Sequence, residues 1–325
     1  MFATPLTDLL GIEHPILLAP MAAISGARLA KAVSEAGGLG LLGGGYCRPD
    51  WVARELDDCD RIGGARVGIG FITWALAERP EVLDMALEHD LAAVMLSFGD
   101  PAPFIGTIKD RGLPVICQVQ GVGEARAAAR AGADIIVAQG QEAGGHGLDR
   151  RSTMALVPAV ADAVSPLPVA AAGGIADGRG LAAALALGAG GVLVGTRFYA
   201  AEEAVGPHTL KERLTAACGD ETVRNTVIDM VRGPAWPEGY TGRSLGNAFT
   251  DRWHGREAAL AERVEEESRR YREADAAEDY DYKVVWAGEG VDMIADIVPA
   301  GEIVRLMVEG AAGALGAVSG SVRGE

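Results

Sequence analysis

The sequence predicts an α/β fold of the (β/α)8 TIM-barrel type, with a mainly helical insertion between the last strand and the last helix. Residues 1–205 repeat one pattern, in which a short apolar run is followed by an Ala-rich segment of helical period. The pattern contains eight apolar runs. From about residue 206 the rhythm stops and the chain becomes polar. We therefore expect residues 1–205 to form the barrel.

The candidate strands are continuous apolar runs, and they lie at 16–20, 39–43, 67–72, 92–97, 114–119, 134–138, 168–172 and 191–195. The candidate helices between them lie at 27–36, 50–59, 80–89, 103–111, 123–131, 154–164 and 178–187. Apolar strands alternating with helices indicate a parallel sheet covered by helices. Eight such units favour a closed barrel. An open doubly wound sheet is the alternative, but it usually carries GxGxxG after its first strand, where this chain has "MAAISGA".

The C-terminal part of the chain predicts an insertion and a returning helix. Residues 206–289 are polar and form the insertion, a helical lid that we expect to act as a substrate domain over the strand ends. Within it, residues 257–277 have E/R pairs at helical spacing and predict one charged helix. Residues 290–325 contain an apolar helical stretch at 291–315, which predicts the eighth barrel helix, and a loose tail.

Charge and composition exclude several classes of partner. A formal charge of −16 argues against nucleic acid and anionic membranes, because binding phosphates takes clustered Lys and Arg. An anionic cofactor must then be held mainly by backbone dipoles. The N-terminus lacks a secretory pattern, and glycines interrupt the apolar stretch 181–194, so we expect a cytoplasmic protein without a membrane span. The four cysteines show no metal spacing and predict reduced thiols.

Glycine clusters follow the seventh and eighth candidate strands, where this barrel fold usually binds phosphate. The segments are "AAGGIADGRG" and "GTRF". Gly173 and Gly174 allow a ligand to approach the backbone closely, and N–H groups there and at Gly195 and Thr196 can surround a phosphate. We therefore predict an anion site at these two loops.

Polar side chains at other strand ends predict a planar ligand and one reactive histidine. Gln118 and Gln139 end apolar strands, which suggests amide hydrogen bonds to a heteroatom ring, and Met21 supplies an apolar wall. His146 follows the sixth strand in "AQGQEAGGH" and is the candidate catalytic residue. Glu142 is the only nearby carboxylate in this segment, and we expect it to be a structural hydrogen-bond acceptor. The strand ends show no metal-ligand pattern.

These motifs together resemble the nitronate monooxygenases, an FMN-dependent barrel family. The resemblance rests on "PILLAPMA", "LSFGDP", "AQGQEAGGHG", "AAGGIADGRG" and "GTRF", in that order over residues 12–200. It implies oxidation of a nitronate, such as propionate 3-nitronate, by O2 to a carbonyl compound and nitrite. The family grades into NAD(P)H-dependent flavin reductases that act on quinones or enoyl thioesters, which is the alternative function. The aromatic residues of the insertion also allow a homodimer.

The resemblance also assigns residues to the cofactor. The positions that it places on FMN are Pro20, Met21, Gln118, Gln139, Gly145, Gly173, Gly174, Gly195 and Thr196. It places His146 over the flavin, where it removes a proton from a nitroalkane or binds a nitronate. Some relatives have Asn at the end of the third strand and Lys at the end of the fifth, where this chain has Gly70 and Gln118. One edge of the flavin would thus lack an obvious cation.

Overall fold

A computed structural model of the chain describes residues 2–234 and 236–321. The strands within these residues are β1 Ile16–Leu18, β2 Leu41–Gly45, β3 Val67–Ile72, β4 Leu91–Ser97, β5 Val115–Val119, β6 Ile135–Gln139, β7 Gly145–Leu148, β8 Val169–Ala172, β9 Gly191–Val194, β10 Thr222–Asn225 and β11 Tyr240–Leu245.

The α-helices fall between and after these strands. They are α1 Pro5–Leu10, α2 Ala27–Glu35, α3 Pro49–Ile62, α4 Thr73–Glu78, α5 Glu81–Ala86, α6 Ala102–Asp110, α7 Val122–Ala131, α8 Thr153–Val164, α9 Gly178–Ala186, α10 Thr196–Tyr199, α11 His208–Thr215, α12 Val227–Arg232, α13 Ala248–Trp253, α14 Glu257–Ala261, α15 Val264–Ala277 and α16 Ala300–Ser321.

Eight of the strands form one parallel sheet in the order β1-β9-β8-β6-β5-β4-β3-β2. A parallel bridge between Leu17 and Leu39 joins β1 to the residues before β2, and the Leu18 N–H donates to the Leu39 carbonyl at 2.9 Å. These contacts bring the two edges of the sheet together. The predicted (β/α)8 barrel is confirmed, and each candidate strand overlaps an observed one.

Two apolar layers stabilise the barrel. Inside it, alternate strand residues such as Leu41, Met95 and Ile135 are fully buried, as in other barrels whose interior is a packed core. Leu6 belongs to this inner cluster and comes from α1, a helix that the sequence pattern did not predict. The outer layer lies between strands and helices and includes three buried free cysteines, Cys47, Cys59 and Cys117. Packing on both faces therefore holds the barrel strands, and the loops at their carboxyl ends, in place.

The helices predicted for the barrel form, with one difference at residues 80–89. That segment is preceded by a further helix, α4, and its own helix α5 is shorter than expected. Pro80 lies between the two helices and has no backbone N–H, so it cannot continue the hydrogen bonding of α4. The chain therefore turns at Arg79 and starts a new helix at Glu81.

The insertion is mainly helical, as expected, but the small sheet within it was not predicted. β10 pairs antiparallel with β11, and β11 pairs antiparallel with β7 from the barrel. The expected single helix over 257–277 is also wrong, since it is divided at Glu262 and Arg263 into α14 and α15. Leu260 of α14 is fully buried in a cluster with Tyr271 of α15, so both pieces pack on the insertion's own core.

The last helix, α16, returns to the barrel and packs against α9 and α2. It extends through Ser321, so the expected loose tail is helical up to that residue, and residues 322–325 lie outside the described residues. By length and apolar composition α16 is also the one described helix that could cross a membrane. Ile303, Val304 and Met307 on one side of this helix are buried in the outer layer of the barrel.

The contact between α9 and α16 predicts a stability difference between two glycine substitutions. A Cβ at Gly178 would lie 2.4 Å from the Ala311 nitrogen and 2.6 Å from the Gly310 Cα, so Gly178→Ala should push α16 away. We expect the free energy of unfolding to fall by about 1–3 kcal/mol, as for other overpacked contacts. Urea denaturation measures it.

The control is Gly313→Ala on the same helix, where a Cβ would have no atom within 4 Å. It should leave the unfolding free energy unchanged or raise it by about 0.5–1 kcal/mol, because Ala has the higher helix propensity. Equal losses in both variants would contradict the packing of α16 against α9.

Candidate active site

One cavity of about 220 Å³ opens at the carboxyl ends of the barrel strands. Every site residue that the sequence predicted contributes to its wall: Pro20, Met21, Gln118, Gln139, Gly145, His146, Gly173, Gly174, Gly195 and Thr196. These residues come from the loop after β1, from β5, β6 and β7, from the loop after β8, and from the start of α10 after β9. The residues predicted from the strand ends and the glycine motifs therefore line one cavity.

The wall after β8 and β9 presents unpaired backbone donors. Gly173 and Gly174 have φ values of +107° and +69°, which L side chains rarely adopt. Among the described residues, the N–H groups of Gly174, Gly195 and Thr196 have no hydrogen-bond acceptor. Arg232 is the only Lys or Arg among the residues described around the cavity. An anion at this wall would therefore be held by backbone N–H groups, as expected for so acidic a chain.

Gly70 of β3 has no side chain for a steric reason. A Cβ at Gly70 would lie 2.3 Å from the Pro20 side chain, so no larger residue fits while Pro20 lines the cavity. The Asn that some relatives have at this position would clash with that ring. The departure from the family pattern at Gly70 is thus coupled to the packing of the loop after β1.

Gln139 is fixed by hydrogen bonds to other side chains and to the backbone. Its Oε1 accepts from Gln118 Nε2 at 3.0 Å and from Gln120 Nε2 at 2.6 Å, and its Nε2 donates to the His146 carbonyl at 3.1 Å. This network orients the amides of Gln118 and Gln139 along the cavity wall. It also connects the end of β6 to the histidine segment. Gln120, which the sequence analysis did not single out, is part of the network.

His146 lies on a strand, not in a glycine-rich loop. β7 places it opposite Gly242 of β11. A Cβ at Gly242 would lie 2.5 Å from the Trp286 ring and 3.4 Å from His146 Nε2. A glycine in β11 therefore leaves room for both rings. The pairing holds the histidine backbone as part of a sheet that spans barrel and insertion.

Arg224 of β10 fixes the loop between β6 and β7. Its guanidinium donates to the carbonyls of Gln141 at 2.8 Å, Ala143 at 3.1 Å, Thr241 at 2.9 Å and Gly147 at 3.4 Å. Burial lowers the pKa of Arg224 to about 10, which still leaves it charged at neutral pH. One insertion side chain thus satisfies the carbonyls on both sides of His146.

Asp229 of α12 is the carboxylate next to the histidine. Its Oδ2 lies 2.8 Å from His146 Nε2, and both side chains are about nine-tenths buried, with 8% and 11% exposed. From the sequence, Glu142 is the only carboxylate expected beside His146. This expectation is wrong, because the insertion brings Asp229 back across 83 residues. Glu142 accepts instead from the N–H and the hydroxyl of Thr153 at 3.0 Å, the structural role expected of it.

Burial and charge act in opposite directions on His146. Burial lowers the pKa of His146 below its ordinary value, while the hydrogen bond and the charge of Asp229 raise it. Arg232 and Arg224 lower this pKa further through their positive charges. The lowered pKa keeps the imidazole neutral at neutral pH, so it can accept a proton.

Aromatic rings cover the histidine on the insertion side. The Trp236 ring stacks on the His146 imidazole at 3.7 Å with an interplanar angle of 7°. Trp286 lies at 5.0 Å from the same imidazole, and the Trp236 Nε1 donates to the Tyr46 hydroxyl at 3.2 Å. Phe98 completes the apolar side, 5.1 Å from Trp236. The stack excludes water from one face of the imidazole.

The chain is similar to known proteins over most of its length. The family model described as nitronate monooxygenase matches residues 3–73 and 72–310. A nitronate monooxygenase of Neurospora crassa is 35% identical over 341 residues, covering 91% of this chain and 89% of that protein. Two solved structures are also similar over nearly the whole chain.

FabK from Thermotoga maritima has a TM-score of 0.88 at 33% identity and covers 99% of this chain and 100% of its own. A nitroalkane oxidase from Streptomyces ansochromogenes has a TM-score of 0.83 at 30% identity and covers 96% of this chain and 99% of its own. The similarity therefore extends over barrel and insertion together.

The role of Arg224 predicts a large loss of stability in Arg224→Met. The variant would leave several buried carbonyls on the loop between β6 and β7 without a donor. Each hydrogen bond to a charged group contributes about 1.5–3 kcal/mol, so we expect a loss of about 3 kcal/mol or more in unfolding free energy. Thermal or urea unfolding measures it.

Arg126→Met is the matched control, because Arg126 is exposed on α7. It should change the unfolding free energy by no more than about 0.5 kcal/mol. If both variants were equally stable, Arg224 would have no part in holding the loop.

Proposed function

The chain belongs to the nitronate monooxygenase family, and we propose that it is an FMN-dependent enzyme that oxidises alkyl nitronates with O2 to a carbonyl compound and nitrite. The family and its structural relatives make it a flavin-type oxidoreductase. The observation that carries the proposal is His146, buried and hydrogen-bonded to Asp229, on the wall of a cavity that also presents unpaired glycine N–H groups.

The cavity wall fits a flavin that carries one phosphate. A Cβ at Gly145, with φ of +70°, would point into space with no atom within 4 Å, so the wall is open where a flat ring would lie. Gly174, Gly195 and Thr196 would bind the phosphate through their N–H groups. Pro20, Met21 and the amides of Gln118 and Gln139 would line the ring and its side chain, with Gly173 at the phosphate end. The bound flavin supplies electron transfer between substrate and O2.

His146 prepares the substrate. As a neutral imidazole it can take the acidic α-proton of a nitroalkane, which leaves the nitronate anion. The resulting imidazolium is stabilised by the Asp229 carboxylate at 2.8 Å. When the substrate enters as a nitronate, no proton has to be removed, and only the minor protonated form of His146 could bind the anion. His146 is therefore needed as a base for a nitroalkane far more than for a nitronate.

The proposed reaction balances without an external reductant. Two nitronate anions and one O2 contain all the atoms of two carbonyl compounds and two nitrite ions. A nicotinamide is therefore unnecessary for turnover. The Trp236 and Trp286 rings over His146 give the substrate an apolar cover on the side of the insertion. A cytoplasmic location stays a prediction.

His146→Asn tests the proposal. With FMN retained, we expect nitrite release from a neutral nitroalkane to fall about 100-fold or more, the usual contribution of a general base. Release from a preformed nitronate should fall much less, because its proton is already absent. Nitrite and O2 uptake are measured for both substrates.

His254→Asn is the matched control, since His254 is an exposed insertion residue that does not line the cavity. Both its activities should equal those of the wild type. If His146→Asn turned over nitroalkane at the wild-type rate, His146 would not be the base.

Anaerobic mixing separates the proposed function from the alternative flavin reductase. A nitronate should reduce the bound flavin, and NADH or NADPH should not do so at a comparable rate. Fast bleaching of the flavin by a nicotinamide, with none by nitronate, would instead establish an NAD(P)H-dependent reductase of quinones or enoyl thioesters.

A further inference from the structure

We propose that Asp229 is the positioning residue that fixes the tautomer of His146, with the proton on Nε2 and the lone pair on Nδ1 available to the substrate. The consequence for catalysis rests on the proposed function, but the tautomer itself does not. Asp229 belongs to the insertion, so the insertion would determine the chemistry of a histidine carried by the barrel.

The hydrogen bond between the two side chains determines which nitrogen carries the proton. An ionised carboxylate accepts hydrogen bonds and donates none, so the nitrogen 2.8 Å from Asp229 Oδ2 must be an N–H donor. That nitrogen is Nε2. A neutral imidazole carries one proton, which leaves Nδ1 as an acceptor. Among residues 2–234 and 236–321, no donor reaches His146 Nδ1.

The other oxygen of Asp229 supports the same role. Oδ1 is buried and has no hydrogen-bond partner among the described residues. A buried carboxylate with a single partner is costly for folding, and such groups are retained where they act on a neighbour. His146 is the only described group that Asp229 pairs with.

The insertion core holds Asp229 at this distance. Val227, Ile228 and Val231 of α12 are buried against Phe249 and other apolar residues of the insertion. The Asn225 Oδ1 accepts from the Ile228 N–H at 3.3 Å at the start of the helix. Asp229 lies in the first turn, where the helix dipole favours a negative charge. The carboxylate is therefore placed before any substrate binds.

The rings around His146 restrict the alternative orientation. Trp236 is stacked on the imidazole, and a ring flip that exchanged Nε2 and Nδ1 would have to slide within this stack and break the bond to Asp229. Gly242 also borders Nε2, since an added Cβ there would lie 3.4 Å from this nitrogen. The geometry thus supports one ring orientation.

Three charged groups act on this histidine, and they come from two elements. Asp229 and Arg232 are on α12, and Arg224 is on β10. Asp229 raises the pKa of His146, whereas both arginines lower it. Removal of the Asp229 charge leaves only the lowering contributions of burial and the two arginines. The pKa of His146 should then fall further, and the pH at which the base becomes protonated should move to lower values.

The first test is a ¹⁵N NMR spectrum of the histidine side chains in the purified wild-type protein. The His146 signals are assigned by their loss in His146→Asn. We expect the Nε2–H tautomer, with Nδ1 unprotonated above the pKa of the ring. A wild-type protein with the proton on Nδ1 would overturn the proposal without any variant at position 229 and without any turnover.

The second test compares Asp229→Asn with Asp251→Asn, the same change at an exposed position of α13. In Asp229→Asn the NMR titration of His146 should shift to lower pH, and a Nδ1–H tautomer should appear, because the amide N–H of Asn can donate to Nε2. Asp251→Asn should leave both unchanged. An unchanged titration and tautomer in Asp229→Asn would contradict the positioning role.

Kinetics separate this proposal from the proposed function. In Asp229→Asn, kcat/KM for a neutral nitroalkane should fall about 10- to 1000-fold, its acidic limb should move to lower pH, and turnover of a preformed nitronate should change by less than about threefold. Equal losses with both substrates and an unmoved pH profile would indicate a purely structural role. A wild type inactive on both substrates would refute the proposed function and leave the tautomer test standing.

Discussion

The antiparallel pairing of β7 with β11 is the constraint on which the rest of the site depends. It joins a segment that follows a barrel strand to the insertion and places His146 opposite Gly242. Arg224, on the next strand of the same small sheet, then satisfies carbonyls on both sides of the histidine. Without this sheet, neither Asp229 nor Trp236 would be held against the imidazole. The insertion is therefore part of the active site and not a cover added to it.

The electrostatics of the site reflect a strongly acidic chain for which we propose anionic ligands. A net charge of −16 leaves little cationic surface, so unpaired backbone N–H groups face the cavity and Arg232 is the one Lys or Arg described in its wall. Burial lowers the pKa of His146 and favours the neutral ring, and Asp229 would compensate the positive charge if the ring took a proton. The same low dielectric that lowers the pKa of the ring strengthens its bond to the carboxylate.

Local sequence patterns predicted the barrel and most of the residues that line its cavity. They did not predict the pairing of β7 with β11 or the contact of His146 with Asp229. The apolar runs fixed eight strands, and the glycine clusters located Gly174 and Gly195, because both signals are contained in short segments. The strands "GHGL" and "TVRN" have no alternation of apolar and polar residues that would predict a strand. They form because each pairs with β11, which lies elsewhere in the chain. Asp229 lies 83 residues from His146. Its one signal is an acid within the apolar helix "VIDMVR".

We propose that His146 removes a proton from carbon at the start of turnover. This step is tested by the deuterium isotope effect on kcat/KM with a nitroalkane deuterated at the α-carbon, with the matching preformed nitronate as reference. We expect a normal primary isotope effect for the nitroalkane and none for the nitronate. Turnover of the nitroalkane with no isotope effect at any pH, together with an unaltered rate in His146→Asn, would contradict it.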